Sequence, residues 1–154
     1  MSEIFDIVIC GAGPAGSTCA LALANSGLKV ALLEKDRFPR DKVCGDAIAG
    51  CVPEVLNTID PSLVKSLEGF TPRQQVDTVR VFAPNEKFLD LTFKTEGCIS
   101  KRMDFDNFLF EQASKLSNVT IFQNTVVKNV IVNEQGLTID TSAVQLEAAL
   151  INRL

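Results

Sequence analysis

The sequence predicts an α/β fold: a parallel sheet of the doubly wound type carrying an antiparallel β insertion. Three observations predict it. Ile4 to Cys10 and Leu28 to Leu33 are short, almost uninterrupted apolar runs with the β-branched character of strands buried on both faces. A glycine-rich turn and an Ala- and Leu-rich stretch lie between them, so strand, turn, helix and strand follow one another within about 30 residues, the length of a βαβ unit. Between Val76 and Phe93 the pattern changes to an alternating one, which breaks the βα rhythm and reads as an antiparallel pair.

Taken in order, Ile4 to Cys10 (IFDIVIC) reads as one strand ending in glycine. Pro14 to Asn25 reads as a helix, with Gly27 where a helix end favours a left-handed residue. Leu28 to Leu33 is the second strand, and the crossover between the two is expected to be right-handed. Asp36 to Gly50 carries charges, Pro39 and two glycines, and reads as a long ordered loop leading to a short helix. Pro53 to Leu67 holds two helical stretches parted at Pro61. VDTVRVF and KFLDLTF form the antiparallel pair, joined through Pro84-Asn85. Phe105, Phe108, Leu109, Ala113 and Leu116 stand close to helical spacing, so Asp104 to Leu116 is expected to be a helix with Asp104 as its N-cap. Val119 to Phe122 is a short strand. Val126 to Val132 and Gly136 to Thr141 form a hairpin around Asn133-Glu134-Gln135-Gly136, and the apolar stretch Ala143 to Leu154 ends without a closing signal.

Composition removes several classes of function. The chain has 154 residues, enough for one core-building domain. It contains no His, so an imidazole triad, a His metal cage and a histidine acid or base are excluded. Fifteen Lys and Arg against nineteen Asp and Glu give no basic field, so nucleic-acid binding has no electrostatic support. Cys10, Cys19, Cys44, Cys51 and Cys98 form no C-x-x-C pair, so they match neither a disulfide framework nor a zinc cluster and read as reduced thiols of a cytoplasmic protein. The polar start Met1-Ser2-Glu3 is not read as a signal peptide. No apolar run reaches the roughly 20 residues of a transmembrane helix.

The chemistry is carried by Gly11-Ala12-Gly13-Pro14-Ala15-Gly16, a complete G-x-G-x-x-G between the first strand and the helix. Gly11 permits the tight turn, Gly13 lets a diphosphate approach the backbone, and Gly16 lets helix and strand pack closely. Backbone N–H groups at the helix start then face the anion. Glu34 ends the second strand, 23 positions after Gly11. That is near the roughly 20-residue offset of the acidic side chain that binds ribose hydroxyls. Its charge disfavours a 2′-phosphate, which makes NADP the least favoured occupant. NAD and FAD both fit this βαβ unit.

The loop that follows separates them. Glu34-Lys35-Asp36-Arg37-Phe38-Pro39-Arg40-Asp41-Lys42-Val43-Cys44-Gly45-Asp46-Ala47-Ile48 resembles the same region of the geranylgeranyl reductase-like FAD-dependent oxidoreductases, relatives of flavin halogenases and aromatic hydroxylases of the p-hydroxybenzoate hydroxylase fold. Arg102-Met103-Asp104-Phe105-Asp106-Asn107-Phe108-Leu109 resembles that fold's R-x-x-F-D-x-x-L segment, and the likeness spans most of residues 4–142. The resemblance implies a Rossmann-like FAD-binding parallel sheet. It implies that Gly11, Gly13, Pro14, Ala15 and Gly16 line the FAD diphosphate, that Glu34 with Lys35 beside it serves the adenosine ribose, and that Arg102 sits by the diphosphate or ribityl chain. It places Cys44 and Gly45 close to the flavin ring, with Cys44 a candidate for contact with substrate, and gives the main chain of Val127 to the adenine. A small buried thiol is the plainer use of Cys44, and core packing that of Cys10 and Cys19.

Chemistry in this family belongs to the flavin rather than to protein nucleophiles. The resemblance therefore implies a small-molecule, isoprenoid or lipid-like substrate and an NAD(P)H or other electron donor, with no metal. Open sheet edges would favour association with another chain. Complete members of the fold are considerably longer, so residues 1–154 are expected to be an incomplete FAD-binding domain. Within it, 1–50 form the βαβ unit and flavin loop, and 70–98 the β insertion towards the substrate side. The alternatives are a small FAD- or NAD-binding module without turnover, and the N-terminal part of a flavin monooxygenase or halogenase.

Overall fold

The computed structural model describes residues 3–134 and 136–149. In chain order its elements are β1 (Glu3–Phe5), β2 (Ile7–Cys10), α1 (Pro14–Ala22), β3 (Val30–Leu33), β4 (Ala47–Ile48), α2 (Val52–Ile59) and α3 (Pro61–Glu68). Then come β5 (Gln74–Phe82), β6 (Phe88–Ile99), α4 (Arg102–Ser114), β7 (Val119–Phe122), β8 (Val127–Asn133), β9 (Gly136–Thr141) and β10 (Gln145–Ala149). The chain divides into two compact units, Met1–Arg40 with Asp106–Leu154, and Asp41–Phe105.

The first unit holds the expected parallel sheet, in the order β2-β3-β7. β3 lies in the middle, paired to Ile7–Cys10 on one side and Val119–Phe122 on the other. All four of its residues are buried, which is why that segment is apolar at every position and does not alternate. The single strand expected over Ile4 to Cys10 is two. Asp6 parts them: its N–H donates to the Lys29 carbonyl at 2.9 Å and its carboxylate accepts from the Lys29 N–H at 2.7 Å. β1 consequently leaves the parallel sheet and pairs with β10 in a second sheet, ordered β1-β10-β9-β8. Phe5, Ala31, Leu33, Ile139, Leu146 and Ala148 form one buried cluster, with Phe122 and Val127 packed against it.

The first helix ends three residues before the expected limit. Beyond Ala22 the bonds tighten to the three-residue spacing, Leu23 to Ala20, Ala24 to Leu21 and Ser26 to Leu23. Gly27 follows at φ +73°, in the left-handed region expected of it. Ser17, Ala20 and Leu21 form the buried stripe of α1. Cys19 falls off that stripe and is exposed, as is Cys10 at the end of β2, so neither packs in the core as expected; Cys98 is the buried thiol.

In the second unit α2 and α3 part at Pro61, as the sequence indicates. Asp60 caps α3, its carboxylate accepting from the Ser62 N–H at 2.7 Å. That bond holds the Asp60 carboxyl below the usual carboxylate range. β5 and β6 form a long antiparallel hairpin, with β4 on the other side of β6. One hairpin face carries polar pairs, Arg80 donating to Asp90 through both Nε (2.7 Å) and Nη2 (2.8 Å) beside the Thr78–Thr92 pair, with the exposed Phe82–Phe88 pair next to them. The opposite face carries Val79, Val81, Leu89, Leu91 and Phe93, all exposed.

The helix of the second motif starts at Arg102, earlier than expected. The Lys101 carbonyl accepts from the N–H groups of Asp104 and Phe105. Asp104 is therefore inside the first turn, where its charge complements the helix dipole, and is not the N-cap. Of the stretch after Thr141, β10 lies within the described residues, whereas Leu150 to Leu154 lie outside them, as does Gln135 of the expected hairpin turn. Among the described residues no helix is long and apolar enough to cross a membrane.

A Cβ on Gly16 would stand 1.8 Å from the Gly11 carbonyl oxygen and 3.3 Å from Ile9 Cγ2, whereas a Cβ on Gly45 would meet nothing within 4 Å. Gly16→Ala is therefore expected to cost about 3 kcal/mol or more, and Gly45→Ala about 0.5 kcal/mol or less. Equilibrium urea unfolding of the two variants checks both values, and equal midpoints would contradict the packing described.

Candidate functional site

The glycine turn stands at the C-terminal edge of the parallel sheet, the side on which open α/β sheets bind ligands. Gly11 adopts φ +98°, and its N–H donates to the Leu33 carbonyl at 2.7 Å. This fixes the turn to the end of β3. Ser17, fully buried, closes it from the other side, its hydroxyl donating to the Ala12 carbonyl at 2.8 Å. Gly13 is the N-cap of α1 in extended backbone with no side-chain cap, Pro14 follows at the first helical position, and no acidic residue occupies the first turn. The N-terminal N–H groups of α1 are thus left without a side-chain acceptor, at the positive end of the helix dipole, as an anion site requires.

Glu34 lies at the end of β3 with only 4% of its surface exposed. Its backbone is anchored twice: its N–H donates to the Phe122 carbonyl and its carbonyl accepts from the Thr125 N–H, both at 2.8 Å. Its carboxylate accepts from the Ala12 N–H at 2.9 Å and from the Asp36 N–H at 3.1 Å. An ionised carboxylate offers about four acceptor positions, so ribose hydroxyls have positions left to bind. An uncapped helix start, a glycine turn that a Cβ would obstruct and a fixed carboxylate suit a dinucleotide with a diphosphate and a ribose.

Arg40 and Asp106 complete this part of the site. The Arg40 Nε is 3.6 Å from Glu34 Oε1, and Nη1 donates to Asp106 Oδ2 at 3.2 Å. A Cβ on Gly13 would lie 3.2 Å from Arg40 Nη2. The freedom expected of Gly13 for diphosphate approach therefore also gives room to an arginine. Neither Arg40, Asp106 nor Ser17 stands out by spacing. The available signal was the Phe-Pro-Arg run and the aspartate of the R-x-x-F-D-x-x-L segment.

The remaining candidates fall into two groups. Lys35 is exposed beside Glu34, with its ammonium on Asp36 at 2.6 Å, an arrangement worth little at a surface. Val127 sits half-buried at the start of β8, opposite Thr141. In the second unit the two motif segments meet: the Arg102 N–H donates to Asp46 Oδ1 at 3.3 Å, the Ser100 N–H donates to the Asp46 carbonyl at 2.9 Å, and Ala47 pairs with Ile99. Cys44 and Gly45 lie just before this junction and are exposed, so Cys44 is not the buried thiol that was the plainer reading.

Comparison with known proteins follows the same lines. A 1H-pyrrole-2-carbonyl-(peptidyl-carrier protein) brominase of Pseudoalteromonas luteoviolacea is 34% identical over 133 residues, 85% of this chain and 32% of the relative. A geranylgeranyl diphosphate reductase of Rhodobacter capsulatus is 35% identical over 113 residues, 72% of this chain and 26% of the relative. The chain thus spans about a third or less of the length of these two relatives. The crystal structure of halogenase PltM in complex with phloroglucinol and FAD superposes with a TM-score of 0.79 at 20% identity, covering 95% of this chain and 33% of that one. The profile of the family described as FAD dependent oxidoreductase matches residues 6–151. A match running from the first buried strand past the last hairpin shows that the chain belongs to the FAD-dependent oxidoreductases.

Proposed function

We propose that the chain is the cofactor-binding part of a geranylgeranyl reductase-like enzyme, which passes hydride through FAD to a carbon–carbon double bond of an isoprenoid. One observation carries this reading. The second unit contains an open cavity of about 350 Å³ lined by Ile48, Val76, Val79, Phe93, Cys98 and Ile99 among others, with no charged side chain in its wall. Such a wall offers contact to hydrocarbon and almost nothing to a polar substrate. It continues onto the hairpin face of exposed apolar residues through Val79 and Phe93. Gly97 shapes it: a Cβ there would lie 2.8 Å from the Ile48 carbonyl, so only glycine lets β4 and β6 meet so closely.

When bound, FAD supplies the redox chemistry, taking electrons from a donor such as NAD(P)H. The chain's own groups bind and orient. In this reading the N–H groups at Gly13, Ala15 and Gly16 hold the diphosphate, Glu34 accepts from the ribose, and Lys35 flanks it. Arg102 lies by the diphosphate or ribityl chain, Val127 offers main chain to adenine, and Cys44 and Gly45 border the flavin. A cytoplasmic location, and association with another chain through exposed sheet surface, belong to the same proposal. The brominase among the relatives supports a second reading, a halogenase or monooxygenase portion; a dinucleotide-binding module without turnover is the third.

The purified protein is expected to release FAD on denaturation, read by absorbance. Under anaerobic NAD(P)H its flavin is expected to bleach and then to regain colour on addition of a geranylgeranyl substrate. Bleaching without reoxidation by the isoprenoid favours the second reading, and no bleaching the third. Ala49→Phe, which fills the cavity wall, is expected to weaken binding of geranylgeranyl diphosphate about tenfold, or about 1.4 kcal/mol, in calorimetry, with FAD affinity unchanged. Gly45→Val is expected to do the reverse, lowering FAD affinity about tenfold while leaving the melting temperature in place.

A further inference from the structure

We infer that Arg40 is the positioning residue of the FAD site, acting through Glu34 and itself held in place by Asp106. The inference concerns the first unit alone and holds whichever substrate the flavin serves.

A carboxylate as buried as Glu34 stays in place only if its charge is met and its oxygens are bonded. The N–H groups of Ala12 and Asp36 supply the bonds, and Arg40 supplies the charge, its Nε standing 3.6 Å from Oε1. Arg40 does not reach Glu34 as a loose surface side chain. Its guanidinium lies over the Phe38 ring at 4.8 Å, Phe38 is stacked on Phe110 at 4.3 Å, and Nη1 donates to the fully buried Asp106. Asp106 and Phe110 are four residues apart on α4 and so share one helix face. That face grips the planar cation by its edge and, through Phe38, by its ring side, a fit that a lysine ammonium lacks.

The third nitrogen, Nη2, borders Gly13, the glycine of the diphosphate turn. Arg40 thus adjoins both the ribose acceptor and the diphosphate loop. It also cancels charge where charge matters: without it, Glu34 and Asp106 would present two carboxylates towards a cofactor whose diphosphate is itself anionic. An arginine removed from this position leaves Glu34 misplaced and the loop electrostatically hostile, although the glycines are intact.

The test is FAD affinity of the full chain, measured by titration of flavin fluorescence, with ADP as a competitor that carries the adenine, ribose and diphosphate but no flavin. Arg40→Gln is expected to weaken FAD and ADP alike by about thirtyfold, as loss of one member of a buried charge pair does. Arg40→Lys is expected to recover part of the affinity, to within about tenfold of the native protein, since it returns the charge without the fork. Asp106→Asn should lie between the two. The decisive measurement is Glu34→Gln combined with Arg40→Gln. Because Arg40 works through Glu34, the double variant should bind no more than about threefold more weakly than the worse single one. Normal FAD affinity in Arg40→Gln would overturn the inference. So would losses that multiply in the double variant, or a Lys variant as weak as the Gln variant. An effect on FAD that spares ADP would place Arg40 at the other end of the cofactor and overturn it equally.

Discussion

Burying the Glu34 carboxylate at the end of β3 is the constraint around which the cofactor end of the molecule is arranged. The group loses water, and every compensating contact comes from a different part of the chain: the Ala12 N–H of the glycine turn, the Asp36 N–H of the following loop, and the Arg40 guanidinium. Each is therefore fixed relative to the others by one side chain. The backbone of Glu34 adds bonds to Phe122 and Thr125, so the strand carrying the acid cannot shift without breaking the sheet's third strand. A site for a diphosphate and a ribose has to be held to within a fraction of an ångström, and this arrangement supplies such rigidity from the candidate binding groups themselves.

Legibility in the sequence follows how local each cause is. β3 was readable because a central parallel strand is apolar at every position, and the β5–β6 hairpin because one face is apolar and the other carries Arg80, Asp90 and paired threonines. The glycine turn was readable because its three glycines have separate local causes, a positive φ at Gly11 and a backbone clash at Gly16 among them. The break between β1 and β2 was not. One aspartate in an apolar run reads as tolerated noise, and only its bonds to Lys29, 23 residues on, turn it into a boundary.

The same distinction explains the site. The place of Glu34 beside the glycine turn follows from its distance along the chain from Gly11, since a βαβ unit has a nearly fixed length. Arg40 and Asp106 are 66 residues apart, and nothing in the spacing of either predicts the other. Cys19 is exposed for a related reason: thiols are commonly buried, but the buried stripe of α1 is set by Ser17, Ala20 and Leu21, and Cys19 falls off that stripe, while Cys10 stands at the exposed end of β2. The start of α4 moved because the Lys101 carbonyl is the first acceptor, a backbone event with no side-chain signature.

Net charge gives no guide to such a site. The chain carries a formal charge of −4, yet it holds an anionic dinucleotide, because attraction at contact is decided by groups within a few ångströms and the remote acids are screened over about 8–10 Å in physiological salt. Around the turn the local balance is an uncapped helix start with no acid in its first turn and one guanidinium between two carboxylates. Bulk acidity lends no support to a polyanion such as nucleic acid, which must be bound along a whole face. It is no obstacle to a single diphosphate, which an uncapped helix start can meet with a few backbone N–H groups.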